Sequence, residues 1–206
     1  MKKIKLFSLI AIAIFALASC TNNKHEKTIE NLKAAATGET NASATYAKYA
    51  ERAEADSMFN VAAMFRATSA SETIHAANHL KALKEVGAEF TPQLKEIKVG
   101  TTLENLTEAK SGEDYEFNKM YPEFIKLAEL EKADKAKVSF NSAMLIEFKH
   151  AEFYNQAITA INQDGNDANV NKVWQVCPVC GDTYKEGEVQ TCKICGTSVE
   201  KFKTIK

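Results

Sequence analysis

The sequence predicts a mainly α-helical protein in two parts, a four-helix bundle followed by a small metal-binding β module. Between residues 28 and 163, long stretches rich in Ala, Glu and Lys predict helices. Two Glu-x-x-His motifs, about 75 residues apart, lie within these stretches and indicate a duplicated ligand pattern. Two Cys-x-x-Cys pairs follow in the C-terminal segment, which is too small to hold a large core and should depend on a metal to fold.

The first 19 residues have the pattern of a secretion signal. Three lysines precede an apolar run from Leu6 to Leu17, which is too short to span a bilayer as a stable helix. The run ends in Leu-Ala-Ser-Cys, which resembles the lipobox of bacterial lipoproteins, where the cysteine is lipidated and becomes the new N-terminus. We therefore expect an exported protein anchored in a membrane of the bacterial cell envelope through Cys20, with residues 20–27 as lipidated cysteine and tether. Ordinary signal cleavage beside an incidental cysteine is the alternative.

The charge of the mature chain excludes one class of partner. Removal of the three signal lysines leaves 23 basic against 27 acidic residues, a formal charge of about −4. No basic patch interrupts this balance. The sequence therefore does not predict nucleic-acid binding.

Four helices are expected in the bundle, residues 28–163. Their bounds, taken from composition and stop signals, are Thr28 to about Ala55, Met58 to Val86, Thr101 or Thr102 to about Lys132, and Asp134 to about Asn162. Residues 87–100 break the pattern and span roughly 45 Å when extended, enough for a crossover between two helical hairpins. Pro122 should kink the third helix slightly.

Six residues of these helices make up the ligand set of a carboxylate-bridged di-iron site. Glu and His at i and i+3 share a helix face, so each motif offers a carboxylate and an imidazole to one point. Counting at roughly 1.5 Å per residue through each hairpin brings an upstream Glu to the same height. Ferritin-like bundles hold two metals in this way. The candidate ligands are Glu39, Glu72, His75, Glu113, Glu147 and His150.

Chance is the competing interpretation of these motifs. Glu is common on solvated helix faces, and a single Glu-x-x-His arises easily in so charged a chain. Two copies at matched offsets, each with an upstream Gly-Glu and together using two of only four histidines, favour the metal site.

The C-terminal cysteines indicate a second metal site. Eleven residues separate the two Cys-x-x-Cys pairs, a spacing that fits a tetrahedral tetrathiolate site better than disulfides. A Gly after each pair allows a tight turn that points amide N–H groups at the sulfurs. Spacing alone does not choose between iron and zinc. The module is expected over residues 173–206, after a polar linker over residues 164–172, and its ligands are Cys177, Cys180, Cys192 and Cys195.

With both parts in place, the chain resembles the rubrerythrin family from about Thr28 to Lys206. The motifs that carry the resemblance are Gly38-Glu39, Glu72-x-x-His75, Gly112-Glu113-Asp114-Tyr115-Glu116, Met120-Tyr121-Pro122-Glu123-Phe124, Glu147-x-x-His150, Cys177-Pro178-Val179-Cys180-Gly181 and Cys192-Lys193-Ile194-Cys195-Gly196. The resemblance implies a ferritin-like bundle with a rubredoxin-like module. It also implies a non-haem di-iron peroxidase that reduces hydrogen peroxide to water in oxidative-stress defence.

The same resemblance assigns roles to individual residues. It implies iron in the four-cysteine site, passing electrons to the di-iron site. It further implies that Glu39 and Glu116 bind one iron, that Glu113 and His150 bind the other, that Glu72 and Glu147 bridge them, and that on reduction the first iron exchanges Glu116 for His75. From the residues alone, Glu116 is as well explained as a solvent-facing charge.

Four further residues have weaker patterns, three of them near the predicted site. Tyr46 and Tyr121 are spaced to approach the ligands, and their hydroxyls are candidate donors to peroxide oxygens, although both also suit core tyrosines. His79, one turn after His75, is expected to support the site or the core rather than bind metal. His25 lies in the tether and has no predicted role.

The linker suggests how the two parts are arranged. Its eight or so residues reach roughly 25 Å when extended, so folding back onto the same chain's ligands looks cramped. Rubrerythrin-like proteins commonly form head-to-tail dimers, and the resemblance implies such a homodimer here. The expected partners are hydrogen peroxide and an unidentified electron donor, since a lipid anchor separates this chain from the usual soluble donors.

Two other functions use the same residues. One is a ferritin-like protein that oxidises or stores iron, which needs no electron-delivery module. The other is a non-enzymatic surface lipoprotein with zinc in both sites. An oxidised iron tetrathiolate is red and a zinc site is colourless, so colour separates these possibilities.

Overall fold

The fold is a helical bundle with a small β module packed against it, and the computed structural model describes residues 24–206. The predicted signal peptide, Cys20 and residues 21–23 of the tether lie outside the described residues. The main elements are α1 (Glu26–Ala55), α2 (Phe59–Glu85), α3 (Thr102–Tyr115), α4 (Tyr121–Leu130), α5 (Asp134–Asp164), β1 (Trp174–Val176), β2 (Thr183–Lys185) and β3 (Lys203–Ile205). The predicted fold class, a ferritin-like bundle with a C-terminal metal module, is confirmed.

The first hairpin consists of α1 and α2 joined by a tight turn. Ser57 adopts a positive φ of 61°, which lets the chain reverse in three residues. Asp56 in this turn accepts a hydrogen bond from the hydroxyl of Thr102 at 2.7 Å, at the start of α3. The turn of the first hairpin is therefore tied to the beginning of the second.

The third helical segment of the bundle is continuous from α3 to α4, but its helix type changes along its length. A capping box opens it, in which the hydroxyl of Thr101 accepts from the Glu104 amide at 3.3 Å while the Glu104 carboxylate accepts from the Thr101 amide at 2.8 Å. Between α3 and α4 lies one π-helical turn, Glu116–Met120, called the π-turn below. Pro122 lies two residues after its end and has no N–H for an ordinary helical bond. The irregularity predicted as a kink is thus an inserted π-turn.

The crossover between the hairpins runs extended along α1. Residues 87–100 form no helix or strand. The side chain of Asn41 holds them, donating to the carbonyl of Gln93 at 3.0 Å and accepting from the amide of Lys95 at 2.7 Å. This satisfies two backbone groups of a segment without secondary structure.

Apolar clusters above and below the bundle centre bury the polar residues between them. Tyr46, Tyr49, Phe65 and Tyr154 pack at one end, with ring centroids 5.4 to 6.3 Å apart. Phe140 and Tyr121 belong to the cluster at the other end. No helix between residues 24 and 206 has the length and apolar character that a membrane span requires.

The module, residues 173–206, is a three-stranded antiparallel sheet in the order β2-β1-β3. Gln175 pairs with Tyr184 on one side and with Thr204 on the other. Trp174 is buried and stacks edge-on against Phe153 of α5, with centroids 4.7 Å apart. In the linker, Asp167 accepts from the amides of Asn60 and Val61 at the start of α2. These contacts fold the module back along its own bundle.

Candidate metal centres

The six predicted ligands of the bundle meet at its centre. They come from four helices: Glu39 from α1, Glu72 and His75 from α2, Glu113 from α3, and Glu147 and His150 from α5. None exposes more than 2% of its surface, which is exceptional for carboxylates unless they are paired or bind metal. We call these six residues the cage.

Within the cage, two sets of four ligand atoms lie within 4.8 Å of one another. Glu72 and Glu147 belong to both sets. Glu39 and His75 complete one set, and Glu113 and His150 complete the other. The shared carboxylates occupy the position of bridges between two ions.

The close contacts inside the cage are those of ligands and not of hydrogen bonds. His75 Nδ1 lies 2.7 Å from Glu72 Oε2 and 3.0 Å from Glu147 Oε1. His150 Nδ1 lies 2.9 Å from Glu72 Oε1. Among the described residues, none of these buried atoms has a hydrogen-bond partner. Because buried polar atoms without partners are costly, their convergence fits a cation in each set.

The shifted pKa values of the cage carboxyls also favour the binding of cations. Burial, followed by the charge of Glu72, raises the pKa of Glu113 and of Glu147 well above the usual range. Burial and Glu72 likewise raise the pKa of Glu39 to about 8. Glu72 is the exception: although burial opposes it, His150 and His75 hold its pKa at about 2. Without metal, most of these carboxyls would hold protons, and metal ions would displace them.

Glu116 lies outside both sets. It is the first residue of the π-turn and is half-buried. Its Oε1 lies 3.7 Å from where a Cβ on Gly38 would stand, so it faces α1 beside Glu39. Burial and then the charge of Glu39 raise its pKa well above the usual range. The structure thus groups His75 with Glu39, the arrangement that the resemblance assigns to the reduced site.

Each predicted tyrosine donates to one terminal carboxylate of the cage. Tyr46 donates to Glu113 Oε1 at 2.7 Å, and Tyr121 donates to Glu39 Oε1. Both rings are buried. Burial and the adjacent carboxylate raise the pKa of each phenol well above its usual value, so both stay protonated.

His79 is buried beside the cage without joining either set. Its Nε2 lies 3.0 Å from the hydroxyl of Tyr121, and its Nδ1 lies 2.9 Å from the hydroxyl of Ser139. Burial, with a smaller effect of His75, lowers the pKa of His79 to about 3. His79 is therefore a neutral imidazole between two hydroxyls. His25, at the start of α1, makes no contact with the cage.

The four cysteines between residues 24 and 206 form the second centre. They are free thiols, their sulfurs lie within 4.8 Å of one another, and Cys177–Cys195 and Cys180–Cys192 are each 3.4 Å apart. A tetrahedron with metal–sulfur bonds of about 2.3 Å has sulfurs roughly 3.8 Å apart. Three cysteines are buried and Cys195 is exposed. The site fits one thiolate-bound metal with one face toward solvent.

The module touches the cage of its own chain. Ser71 donates to the carbonyl of Gly181 at 2.7 Å, and His150 Nε2 lies 3.3 Å from the hydroxyl of Thr183. A Cβ on Gly181 would lie 2.7 Å from His75 Nε2, so only glycine fits there. The expectation that same-chain folding is cramped is wrong. From the end of α5 the linker contacts the start of α2, and β1 then packs back along the bundle, with Trp174 against Phe153.

Three of these contact residues were not predicted as site residues. Ser71, Thr183 and Ser139 are ordinary polar residues, and nothing in their spacing marks them. Gly181 was noted only as the turn residue after Cys180. Its contact with His75 depends on docking between distant segments, which local sequence does not reveal.

Together, fold and sites define a ferritin-like di-iron protein that carries a rubredoxin-type iron centre in the same chain. Comparison with known proteins narrows this class. Residues 30–158 match the rubrerythrin family. The chain is 33% identical to rubrerythrin-2 of Clostridium acetobutylicum, over 88% of this chain and 98% of the relative. It is 35% identical to nigerythrin of Nitratidesulfovibrio vulgaris, over 85% of each.

Solved structures agree with this assignment. Nigerythrin in a mixed-valence state superposes with a TM-score of 0.77 at 33% identity, covering 86% of each chain. A bacterioferritin of Desulfovibrio desulfuricans superposes with a TM-score of 0.63 at 22% identity, over 81% of this chain and 97% of its own, which shows the shared fold alone. This chain belongs to the rubrerythrin family.

Proposed function

We propose that this protein reduces hydrogen peroxide to water at the di-iron centre, using electrons from the four-cysteine iron of the same chain, in defence against oxidative stress. The contact between Gly181 and His75 carries the proposal. A protein that only stored or oxidised iron would not need an electron-transfer module packed against a ligand of its di-iron site.

In this reaction the bound metal would supply electrons, and the chain's own residues would supply hydrogen-bond donors and exclude water. When bound, two ferrous ions supply the two electrons that cleave the O–O bond. The hydroxyls of Tyr46 and Tyr121 polarise Glu113 and Glu39 and stand ready as donors beside developing negative charge. Apolar clusters at both ends of the cage exclude water.

A short path connects the two centres. Cys180 is bonded directly to Gly181, whose backbone packs on the Nε2 side of His75, while Nδ1 of that ring faces the cage. Thr183 approaches His150 in the same way. Either route leads from the module to a ligand of the cage through one non-covalent step.

Metal analysis and peroxide turnover test this function. The iron-loaded chain should be red and hold about three irons. Chemically reduced protein should consume one peroxide per two electrons and produce water. A Cys192→Ser chain should still react once when reduced directly but should lose turnover driven through the module. Oxidation by dioxygen with no reaction toward peroxide would instead support the iron-oxidising function.

Export with a lipid anchor at Cys20 is also proposed, on the signal and lipobox pattern alone. The observation that bears on it is the mass of the native N-terminus together with membrane partitioning. An unmodified Cys20, or a mature chain found wholly in the soluble fraction, would contradict it. A head-to-tail homodimer stays a prediction about assembly, and the electron donor is unidentified.

A further inference from the structure

A line of hydrogen-bonding groups leaves the cage and ends at the protein surface. Tyr121 contacts Glu39, His79 Nε2 lies 3.0 Å from the Tyr121 hydroxyl, and Ser139 Oγ lies 2.9 Å from His79 Nδ1. Glu39, His79 and Tyr121 are fully buried. Ser139 is half-buried and therefore reaches solvent.

The surface end of this line opens into a cavity. Ser139 lines a cavity of about 670 Å³ between the end of α2, the start of α5 and the module. Asn78, Asn141 and the exposed Cys195 also line it. Charged and polar side chains line part of this mostly apolar cavity, so water has access to the Ser139 hydroxyl.

The proton positions along the line follow from donor and acceptor inventory. The Tyr121 hydroxyl has one proton, which points to Glu39, because a Glu39 carboxylate that binds metal is ionised and only accepts. Tyr121 must then accept from His79 Nε2–H. The neutral His79 ring leaves Nδ1 as an acceptor, which receives the Ser139 hydroxyl proton. Every donor therefore points from the surface toward the cage.

Tyr46, the other tyrosine beside the cage, has no such connection to the surface among residues 24–206. Tyr46 donates to Glu113, and its neighbour Tyr154 donates to Thr68 at 2.7 Å. Thr68 is buried, and its hydroxyl donates to the backbone carbonyl of Phe65. A carbonyl oxygen does not pass a proton onward, so this line ends inside the protein. The two sides of the cage thus differ in access to protons.

We propose that Ser139, His79 and Tyr121 form a proton relay that carries protons from the cavity to the Tyr121 hydroxyl beside the cage during peroxide reduction. Rapid resupply matters because cleaving H₂O₂ to two H₂O consumes two electrons and two protons. The electrons come from the di-iron site. In each passage Tyr121 gives its proton to a peroxide oxygen at the cage, His79 Nε2–H replaces it, Ser139 reprotonates Nδ1, and water reprotonates Ser139.

This relay rests on the proposed function and adds roles for Ser139 and His79 as positioning residues. No charge builds up on His79, because the imidazole takes a proton at one nitrogen as it gives one from the other. The hydroxyls rotate and the ring returns to its Nε2–H form before the next passage.

Paired variants test the relay at its entrance and its middle. Ser139→Ala removes the entry hydroxyl, and Ser139→Thr keeps it. His79→Gln can keep both hydrogen bonds but cannot exchange protons between its ends. Tyr154→Phe removes a hydroxyl from the line that ends inside the protein and serves as the control.

The main readout is oxidation of the prereduced, iron-loaded chain by peroxide in H₂O and D₂O. Ser139→Ala and His79→Gln should slow it by at least about tenfold, below the usual range for a positioned proton donor because water can partly substitute. Ser139→Thr and Tyr154→Phe should keep the wild-type rate and solvent isotope effect. Wild-type rates in Ser139→Ala and His79→Gln would overturn the relay and leave the peroxidase function standing. A wild type inert to peroxide would overturn both.

A second readout does not depend on activity. In the full-length chain loaded with diamagnetic zinc, ¹⁵N NMR of the histidine rings should show His79 protonated at Nε2 and bare at Nδ1. Ser139→Ala should shift the Nδ1 resonance, and Tyr154→Phe should not. Protonation at Nδ1 in the wild type would reverse the direction of the line and refute the proposal.

Discussion

At the scale of single residues, the carboxylates in and beside the cage fall into those shared by both ligand sets and those that are not shared. Glu72 and Glu147 belong to both ligand sets, whereas Glu116 belongs to neither. Glu116 nevertheless lies close enough to Glu39 for that charge to raise its pKa. The residue that the resemblance assigns to metal thus stands beside the cage, on the side of Glu39.

Replacing a carboxylate shared by both ligand sets should change the iron content of the cage, whereas replacing Glu116 should not. Glu72→Ala or Glu147→Ala removes a ligand from both sets, so we expect loss of both irons of the cage while the module keeps its iron. Glu116→Ala should keep all irons and lower peroxide turnover. Metal content measured beside turnover decides this. Wild-type turnover in Glu116→Ala would show that no ligand exchange is needed.

The shifted pKa values predict opposite pH dependence for metal-free and loaded protein. Folding raises the pKa of Glu39 from 4.5 to about 8. Its contribution to the free energy of unfolding is therefore complete below about pH 4.5 and is lost as pH rises through about 8. Although burial opposes it, Glu72 raises the pKa of His75 to about 9. The contribution of His75 to the stability of the fold is therefore also lost as pH rises through about 9. Metal-free protein should therefore melt at lower temperature at about pH 8 than at about pH 5.

Metal reverses the sign, because it replaces protons on the carboxylates and binds better as pH rises. Thermal unfolding of the metal-free and loaded chains at both pH values checks this pair of expectations. Metal-free protein that gained stability across this interval would show that the carboxyls of the cage do not titrate as described.

At the scale of elements, two local irregularities position the site. The π-turn in the third helical segment carries Glu116 at its first residue, and an inserted turn changes the face on which later side chains appear. The loop after the first cysteine pair places Gly181, with φ of +87°, against His75. Both irregularities occur where the chain meets the cage.

Gly181→Ala should impair electron delivery beyond its effect on the loop. The matched control is Gly196→Ala, because Gly196 follows the second cysteine pair with φ of +74° and has nothing within 4 Å of its added Cβ. Both changes cost roughly 1–2 kcal/mol of backbone strain. Only Gly181→Ala also pushes the module from His75. Stopped-flow transfer from module iron to cage iron should slow in Gly181→Ala alone, and equal rates in the two variants would refute the contact's role.

At the scale of the whole molecule, the module and bundle form one packed unit. Trp174 stacks on Phe153, Arg66 donates to the carbonyl of Lys206 at 3.0 Å, and Lys149 pairs with Asp182. These contacts join the module to the bundle of its own chain. This packing supports the proposed electron transfer within one chain.

A mixture of two variants tests whether electrons move within one chain or between subunits. One chain carries Glu147→Ala and keeps its module, and the other carries Cys192→Ser and keeps its cage. Transfer within a chain predicts that donor-driven peroxide reduction in co-assembled protein does not exceed that of the separate variants. Clear rescue would show that electrons cross between subunits, as the resemblance to head-to-tail dimers implies.

The sequence alone determined the elements and most of the ligands. Helix bounds followed from composition and from stops such as Gly87, and the capping box at Thr101 follows from a local spacing rule. The two Glu-x-x-His pairs and the four cysteines were predicted from i to i+3 and Cys-x-x-Cys spacing, because metal binding requires specific side chains at short, regular separations. Glu39 and Glu113 were predicted by counting residues through each helical hairpin.

Only the tertiary structure decided which of these residues act together. It grouped His75 with Glu39 and left Glu116 beside them, since a half-buried carboxylate on a π-turn has no distinct sequence signal. It placed Gly181 against His75 and joined Ser139 to Glu39 through His79 and Tyr121. Such contacts join residues tens of positions apart, and they arise from how helices and module pack, which local spacing does not encode.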